Sequence, residues 1–214
     1  MTAFALKIIA SVSMAVDHTG VAFDAPEYFR MIGRLAFPIY AYMIAQGCLY
    51  TKDIKKYFLR LFVFALISEI PFTFAYLQGY PHYLNIFYTL FLGVGCIVIY
   101  DKVRIKTNRW AAILPALPLL LIGEVAGVDY GMIGVGLIFF LYFTGPENRA
   151  ARAAVLTAGL SIIYWGNMMY FLFAMAAVAL ILLYNGKQGP RLKWAFYVFY
   201  PAHITAIGIL RVLL

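Results

Sequence analysis

Charged residues are scarce in this sequence, and their scarcity excludes an ordinary soluble domain. Only 12% of the 214 residues are charged, whereas 64% are hydrophobic. Soluble domains are nearer a quarter charged and half apolar. The composition therefore predicts an integral membrane protein. It leaves no room for a separate soluble domain, so residues 1–214 are interpreted as a single membrane domain.

Residues that could bind a metal are also few. The two cysteines, Cys48 and Cys96, and the three histidines show no spacing typical of a metal site. The first apolar segment ends with the polar pair Asp17-His18 rather than with a small-residue cleavage site. We therefore expect neither a metal cofactor nor a signal peptide.

Long apolar runs are abundant, and short polar loops separate them. A helix of about 20 apolar residues crosses the hydrocarbon core of a bilayer. We therefore predict an all-α, polytopic membrane bundle of about nine transmembrane helices. The nine runs cover residues 4–23, 29–50, 58–77, 83–100, 110–127, 130–145, 151–166, 168–185 and 194–213.

The basic residues predict an orientation for this bundle. Of the 17 lysines and arginines, 13 lie in or beside four alternate loops. Cytoplasmic loops carry such an excess, so we predict a cytoplasmic N-terminus and an external C-terminus. The net charge of +8 then reflects topology rather than a nucleic-acid partner. With this topology Cys48 and Cys96 lie near cytoplasmic helix ends, where disulfides are rare. The 13 residues are Lys52, Lys55, Lys56, Arg60, Lys102, Arg104, Lys106, Arg109, Arg149, Arg152, Lys187, Arg191 and Lys193.

Ionisable residues within the apolar runs form a second pattern. Asp17 and His18 lie late in the first run, although one mid-helix aspartate costs roughly 2.5–3.5 kcal/mol on insertion scales. With the predicted topology, the other polar residues of the helices fall mostly in the same outer half. Such residues mark functional sites by default, so we predict a site there. They are Arg30, Arg34, Glu69, His82, Asn85, Glu124, Asp129 and His203.

Each candidate also has a structural interpretation. Arg34 can neutralise Asp17 as readily as it can stabilise a reacting anion. Glu69, just before Pro71, can cap a helix break, and His203 can anchor the last helix at the interface. The residues alone leave these alternatives open.

Histidine, carboxylate, arginine and amide groups without a metal suit acyl transfer, which needs a base, an orienting group and an oxyanion donor. A histidine is the predicted base, a carboxylate its orienting partner, and an arginine or an asparagine the oxyanion donor; we predict His18, Asp17 and Arg34 for these three roles. A proton-coupled transporter uses the same residue types, so composition does not separate the two functions. The catalytic candidates are His18, Asp17, Arg34, His203, Asn85 and Glu69.

Several motifs carry a family resemblance. They are Leu6-Lys7-Ile8-Ile9-Ala10, Asp17-His18, Ile32-Gly33-Arg34-Leu35-Ala36-Phe37-Pro38, Arg60-Leu61, Ser68-Glu69-Ile70-Pro71-Phe72, Asn85-Ile86-Phe87-Tyr88-Thr89-Leu90, Asp129-Tyr130-Gly131 and Phe196-Tyr197-Val198-Phe199-Tyr200-Pro201-Ala202-His203. In this order they resemble the TraX family over nearly the whole chain. More distantly, Lys7, His18 and the Arg-x-x-x-Pro element at Arg34 are similar to the type-three membrane acyltransferases.

The resemblance implies a multi-pass enzyme of a bacterial inner or plasma membrane with acetyl-CoA as its acyl donor. The name-giving family member acetylates F-type pilin, but the resemblance does not imply the acceptor here. A protein N-terminus, a glycan and a small molecule all stay open as acceptors outside the cytoplasm. Besides a transporter, a non-catalytic partner in envelope-protein assembly stays an alternative.

We expect acetyl-CoA to dock beside the basic loops, with its pantetheine arm reaching inward to the outer cluster. The residues expected to bind it are Lys7, Ser11, Arg60, Tyr88 and Cys96. Membrane lipids surround the bundle.

Overall fold

The computed structural model describes residues 1–76, 84–190 and 192–214. These residues form ten α-helices and one 3₁₀ turn, so the predicted all-α class is confirmed. His82 and Arg191 lie outside the described ranges. The helices are α1 (Ala3–Ala22), α2 (Tyr28–Gly33), α3 (Ala36–Tyr50), α4 (Ile54–Tyr76), α5 (Ile86–Arg104), α6 (Leu117–Val125), α7 (Gly131–Phe143), α8 (Arg149–Ile163), α9 (Met168–Leu182) and α10 (Lys193–Leu213), and the turn is Leu114–Ala116.

Each of the nine predicted runs contains a helix, but the helices differ in length. Large apolar side chains such as Ile70 (78% exposed) and Val212 (70% exposed) lie on the outside of the long ones. Contact of such surfaces with water is unfavourable and contact with lipid is not, so this is a membrane protein. It stays a prediction that the shorter helices also cross the membrane and that the N-terminus of the bundle faces the cytoplasm. Among the residues that the structure describes, four helices are long and apolar enough to cross a membrane, and they are Ala3–Ala22, Ile54–Ala75, Ile86–Arg104 and Trp194–Leu213.

The second predicted run is interrupted rather than continuous. It forms α2 and α3, and Arg34 and Leu35 lie between them. Pro38 explains the break, because proline has no N–H to donate to the carbonyl of Arg34, four residues earlier. The break places Arg34 at a junction between two helices, both of which pack on α1.

Two other prolines leave their helices intact. α4 continues past Pro71, and α10 continues past Pro201. The alternative in which Glu69 caps a helix break at Pro71 is therefore wrong. The two helices pack on each other, and Nη1 of Arg211 near the end of α10 donates to the carbonyl of Ala75 at 2.8 Å.

At one end of the bundle, the start of α1 is bound to the α9–α10 loop. The N–H groups of Ala3 and Phe4 donate to the carbonyls of Lys187 and Gln188, at 2.9 and 3.0 Å. The α3–α4 and α9–α10 loops meet there around a cavity. Both loops belong to the basic set, so we call this the basic end, defined by residues 51–53 and 183–190.

At the opposite end, the α6–α7 loop pairs with the start of α5. The N–H of Leu84 donates to the carbonyl of Gly127 at 2.8 Å, and the N–H of Asp129 donates to the carbonyl of Leu84 at 3.1 Å. The hydroxyl of Thr89 donates to the carbonyl of Asp129. These bonds fix the position of Asp129 relative to α5.

Candidate active site

A pair of histidines from the two ends of the chain lies at the centre of the candidate site. His18 is on α1 and His203 is on α10, and Nδ1 of His18 lies 2.8 Å from Nε2 of His203. The two rings are nearly parallel, with an interplanar angle of 5°. Nδ1 of His203 lies 2.7 Å from the carbonyl oxygen of Phe199. The fold thus joins two sequence-predicted residues that are 185 positions apart.

These contacts assign the protons when both rings are neutral. A carbonyl oxygen only accepts, so Nδ1 of His203 carries the proton that it donates to Phe199. Nε2 of His203 then accepts from Nδ1 of His18, and the basic lone pair of His18 is on its Nε2. His203 therefore has the orienting contact that the sequence predicts for Asp17.

Asp17 is bound to two arginines instead. Its Oδ1 lies 3.1 Å from Nη2 of Arg34 and 3.3 Å from Nε of Arg30. Gly33 permits the close approach of α2 to α1, because a Cβ there would lie 2.3 Å from Cβ of Asp17. The contacts match the structural alternative, in which Arg34 neutralises an aspartate that would be unfavourable alone in the membrane.

Arg34 is held from several sides. Only 8% of it is exposed, and its Nε donates to the carbonyl of Arg30 at 2.9 Å. Its guanidinium carbon lies 4.8 Å from the ring centre of Tyr170 and 5.9 Å from that of Tyr164, within range of cation–π attraction. The guanidinium is therefore a fixed positive charge next to Asp17.

The α6–α7 loop contributes two groups that were not among the catalytic candidates. Asp129 and Tyr130 line a small cavity beside His18. Tyr130 has a left-handed backbone, with φ of 63°, and its ring stacks on Phe37 with 3.9 Å between ring centres. Burial raises the pKa of Asp129 to about 6, and Arg34 opposes the shift. The sequence signals were the Asp129-Tyr130-Gly131 motif and the position of Asp129 in the predicted outer half, but the contact of the loop with α1 arises through tertiary packing.

This small cavity, which we call the chamber, has a volume of about 40 Å³. A larger cavity of about 440 Å³ lies between the chamber and the basic end. Oγ of Ser11 lies 2.6 Å from Oη of Tyr40 at the junction between them. The residues that line both cavities, and so mark where they adjoin, are Met14, Tyr40, Ile86 and Tyr200.

The mouth of the large cavity carries positive charge. Lys7 and Arg60 line it together with Gln188 of the α9–α10 loop. Nε of Arg60 is buried and has no hydrogen-bond partner within the described part of the chain. A buried donor on a cation normally has a partner, so this side chain is suited to an anionic ligand.

Asn85 and Glu69 form a separate contact between α5 and α4. Nδ2 of Asn85 donates to the carbonyl of Ala65 at 2.8 Å and to Oε2 of Glu69 at 2.5 Å. Oδ1 of Asn85 accepts from the N–H of Phe87 at 3.0 Å and so caps α5. Neither Asn85 nor Glu69 is among the residues that line the chamber. The structure therefore does not place these two catalytic candidates in the lining of the chamber with His18.

We expect the substitution Asn85→Leu to lower stability without changing the affinity of the folded protein for its ligands. Losing the cap and the side-chain donor to Glu69 costs about 1–3 kcal/mol, while the N–H of residue 85 can still donate to Oε2 of Glu69. Thermal unfolding in detergent measures the effect. Asn108→Leu is a matched control, since Asn108 also accepts from backbone N–H groups but in an exposed turn. Equal unfolding temperatures for Asn85→Leu and the wild type would contradict this role.

The predicted donor-binding residues are divided by the fold. Lys7 and Arg60 line the large cavity, and Ser11 contacts its lining through Tyr40. Cys96 is fully buried on α5, and its Sγ lies 3.6 Å from the carbonyl of Ala116. Neither Cys96 nor Tyr88 is among the residues that line the large cavity.

Comparison with known proteins gives a match over nearly the whole chain. Residues 3–211 match the family model described as TraX protein. The chain is 25% identical, over an alignment 235 positions long, to a Dichelobacter nodosus protein named "Probable fimbrial assembly protein FimC, serogroup H1". That alignment covers 96% of this chain and 94% of the other protein. No solved structure matches the chain.

Proposed function

The chain belongs to the TraX family, and from that premise we propose that it is a membrane-embedded acyltransferase. It moves an acetyl group from cytosolic acetyl-CoA to an amine or hydroxyl of an acceptor in the cell envelope. The basic end faces the cytoplasm, and the chain crosses a bacterial inner or plasma membrane about nine times. The excess of basic residues in alternate loops supports this orientation.

The observation that carries the proposal is the arrangement of the two adjoining cavities. The large cavity begins between two basic loops, and it ends at the four residues that it shares with the chamber. His18 lines the chamber at that inner end. A donor that fits this shape has an anionic head at one end and a reactive thioester at the end of a long, narrow arm. Its head would lie between the basic loops, its arm along the large cavity and its thioester beside His18.

The chemistry of the lining fits the two parts of acetyl-CoA. Lys7 and Arg60 would hold phosphate groups, and the unmade hydrogen bond at Nε of Arg60 provides one donor for them. Apolar side chains such as Met43 and Leu90 line the stretch where the pantetheine arm would lie. Acetyl-CoA supplies an activated acyl group, and the protein supplies position and charge.

His18 acts as the base in this proposal. Its Nε2 takes the proton of the attacking amine or hydroxyl. The new C–N or C–O bond forms as the thioester C–S bond breaks, and the proton passes to the sulfur of CoA. His203 holds the imidazole in the tautomer that leaves Nε2 basic.

Arg30, Arg34 and Asp17 together carry a net charge of +1 beside the chamber, and Asp129, whose pKa burial raises to about 6, leaves that charge uncompensated while it is protonated. Such a fixed charge stabilises the negative charge that develops on the acyl oxygen. In this scheme Arg34 stabilises the oxyanion through the net positive charge of the cluster. The sequence instead predicts a direct contact between Arg34 and the oxyanion.

The name of the Dichelobacter relative bears on the acceptor. That protein is named as a fimbrial assembly protein, so we propose a fimbrial subunit, or another envelope protein that is assembled outside the cytoplasm, as the acceptor here.

The test is release of free CoA by the purified protein in detergent. It is incubated with acetyl-CoA and with fractions of the host envelope, and intact-mass analysis detects a gain of one acetyl group on the acceptor. We expect release that depends on an envelope fraction. No release and no acetyl-CoA binding would contradict the proposal.

The same experiment separates the proposal from an assembly function without chemistry, which the name of the relative also favours. A purely structural partner would capture an envelope protein but would release no CoA. Substitutions at His18 would then change capture or folding, and neither the wild type nor the variants would release CoA.

We expect the substitution Arg60→Met to raise the KM for acetyl-CoA by about tenfold or more, with little change in kcat. A hydrogen bond to a charged group contributes about 1.5–3 kcal/mol, and methionine keeps the length of the side chain but not its charge. Arg109→Met is the matched control, because Arg109 stacks on Trp110 and is not among the residues that line the large cavity. An unchanged KM for Arg60→Met would contradict donor binding at this mouth.

A further inference from the structure

We infer that the chamber limits the acyl group that the protein transfers to two or three carbons, and that the Phe37–Tyr130 ring stack sets this limit. The inference rests on the proposed function and goes beyond it, since it assigns selectivity for acyl length to named residues. The family match supplies no such residues.

The first step is the difference in size between the two cavities. The large cavity of about 440 Å³ has room for a long flexible arm, whereas the chamber has about 40 Å³. One water molecule occupies about 10–15 Å³ of such a volume, so the chamber has room for about three to four non-hydrogen atoms. An acetyl group has three of them, two carbons and one oxygen.

The second step is the rigidity of the chamber wall. Phe37 is 3% exposed, and its ring stacks on Tyr130 with 3.9 Å between centres and 9° between planes. The backbone of α7 lies close behind this pair at Gly134, where a Cβ would lie 2.5 Å from Cβ of Tyr130 and 3.2 Å from Cζ of Phe37. Two stacked rings against a helix backbone have little room to retreat before a longer acyl chain.

The third step is the small residue on the same wall. Ala36 also lines the chamber and is 7% exposed. A larger side chain at this position would enter the space beside His18. Substitutions in the wall can therefore change the volume of the chamber in both directions. A smaller residue at position 37 enlarges the chamber, and a larger residue at position 36 fills it.

The test compares acetyl-, propionyl-, butyryl- and hexanoyl-CoA as donors, with kcat/KM measured from CoA release. We expect the wild type to prefer acetyl-CoA to butyryl-CoA by about tenfold or more, since one methylene alone changes discrimination by about 10- to 200-fold. Phe37→Leu should reduce or reverse this preference. Ala36→Val should lower turnover of acetyl-CoA while CoA still raises the unfolding temperature, because the large cavity is unchanged.

Phe58→Leu is the control. Phe58 stacks on Phe91 at 4.3 Å in the same manner as Phe37 on Tyr130, but it is absent from the lining of either cavity. Its acyl preference should equal that of the wild type.

The possible outcomes are distinct. Equal turnover of all four donors by the wild type, or an unchanged preference in folded Phe37→Leu, would overturn this inference and leave acyl transfer intact. No turnover of any donor by the wild type would overturn the proposed function, and this inference with it.

Discussion

Replacing His18 by alanine is expected to lower kcat for acetyl transfer by about 100- to 10,000-fold, the range typical of a positioned general base. His18 lines the chamber, and its contact with His203 fixes the lone pair on Nε2. No other catalytic candidate combines a place in the chamber lining with a basic ring nitrogen. The KM for acetyl-CoA should change little, because in the proposed function Lys7 and Arg60, which line the large cavity, hold the head of the donor. Steady-state CoA release over a range of donor concentrations separates the two constants.

The control for this prediction is Ser13→Ala, on the same helix. The hydroxyl of Ser13 donates to the carbonyl of Ala10 and is buried away from both cavities. Its turnover should be close to that of the wild type. If His18→Ala elutes and unfolds like the wild type and yet releases CoA at the wild-type rate, His18 is not the base.

The second large fall in kcat is expected for substitutions of His203, because this residue sets the tautomer of His18. His203→Leu removes the acceptor at Nδ1 of His18, so the imidazole loses both its orientation and its preference for a basic Nε2. We expect kcat to fall by about 100-fold or more, by analogy with the loss of the orienting group in a catalytic triad. His203→Gln keeps an oxygen that can accept from Nδ1, and we expect it to retain more activity than His203→Leu.

This ordering distinguishes orientation from packing. Leucine and glutamine have similar volumes, so a purely structural position would tolerate the apolar residue at least as well within the membrane. Equal activity of the two variants, or more activity in His203→Leu, would show that His203 acts by packing alone. The unfolding temperature of each variant in detergent is the accompanying measurement.

Much of the fold follows from sequence patterns that local physics explains. All nine apolar runs contain helix, because a chain in lipid must satisfy its backbone hydrogen bonds within the segment. The effect of proline was less predictable. Pro38 lies at a helix break, whereas Pro71 and Pro201 lie inside continuous helices. Whether a helix continues past proline depends on the packing of its neighbours, which a single sequence does not contain.

The candidate site was predicted in its residue types and only partly in its pairs. His18, Asp17, Arg34 and His203 do lie in one cluster, but Asp17 contacts arginines and His18 contacts His203. Adjacent residues on a helix point about 100° apart, so Asp17 and His18 face different neighbours. Sequence proximity suggested a pair that helix geometry separates.

The sequence by itself determined that this chain is a helical membrane protein of the TraX family with an unusual concentration of ionisable residues at one level of its helices. Composition and hydrophobic period are local properties, and each segment carries them independently. Only the tertiary structure decided which of those residues meet, that the loop with Asp129 and Tyr130 lines the chamber beside His18, and that a large cavity adjoins the chamber. These features arise from contacts between α1, α3, α5, α10 and the α6–α7 loop, whose relative positions depend on the packing of the whole bundle.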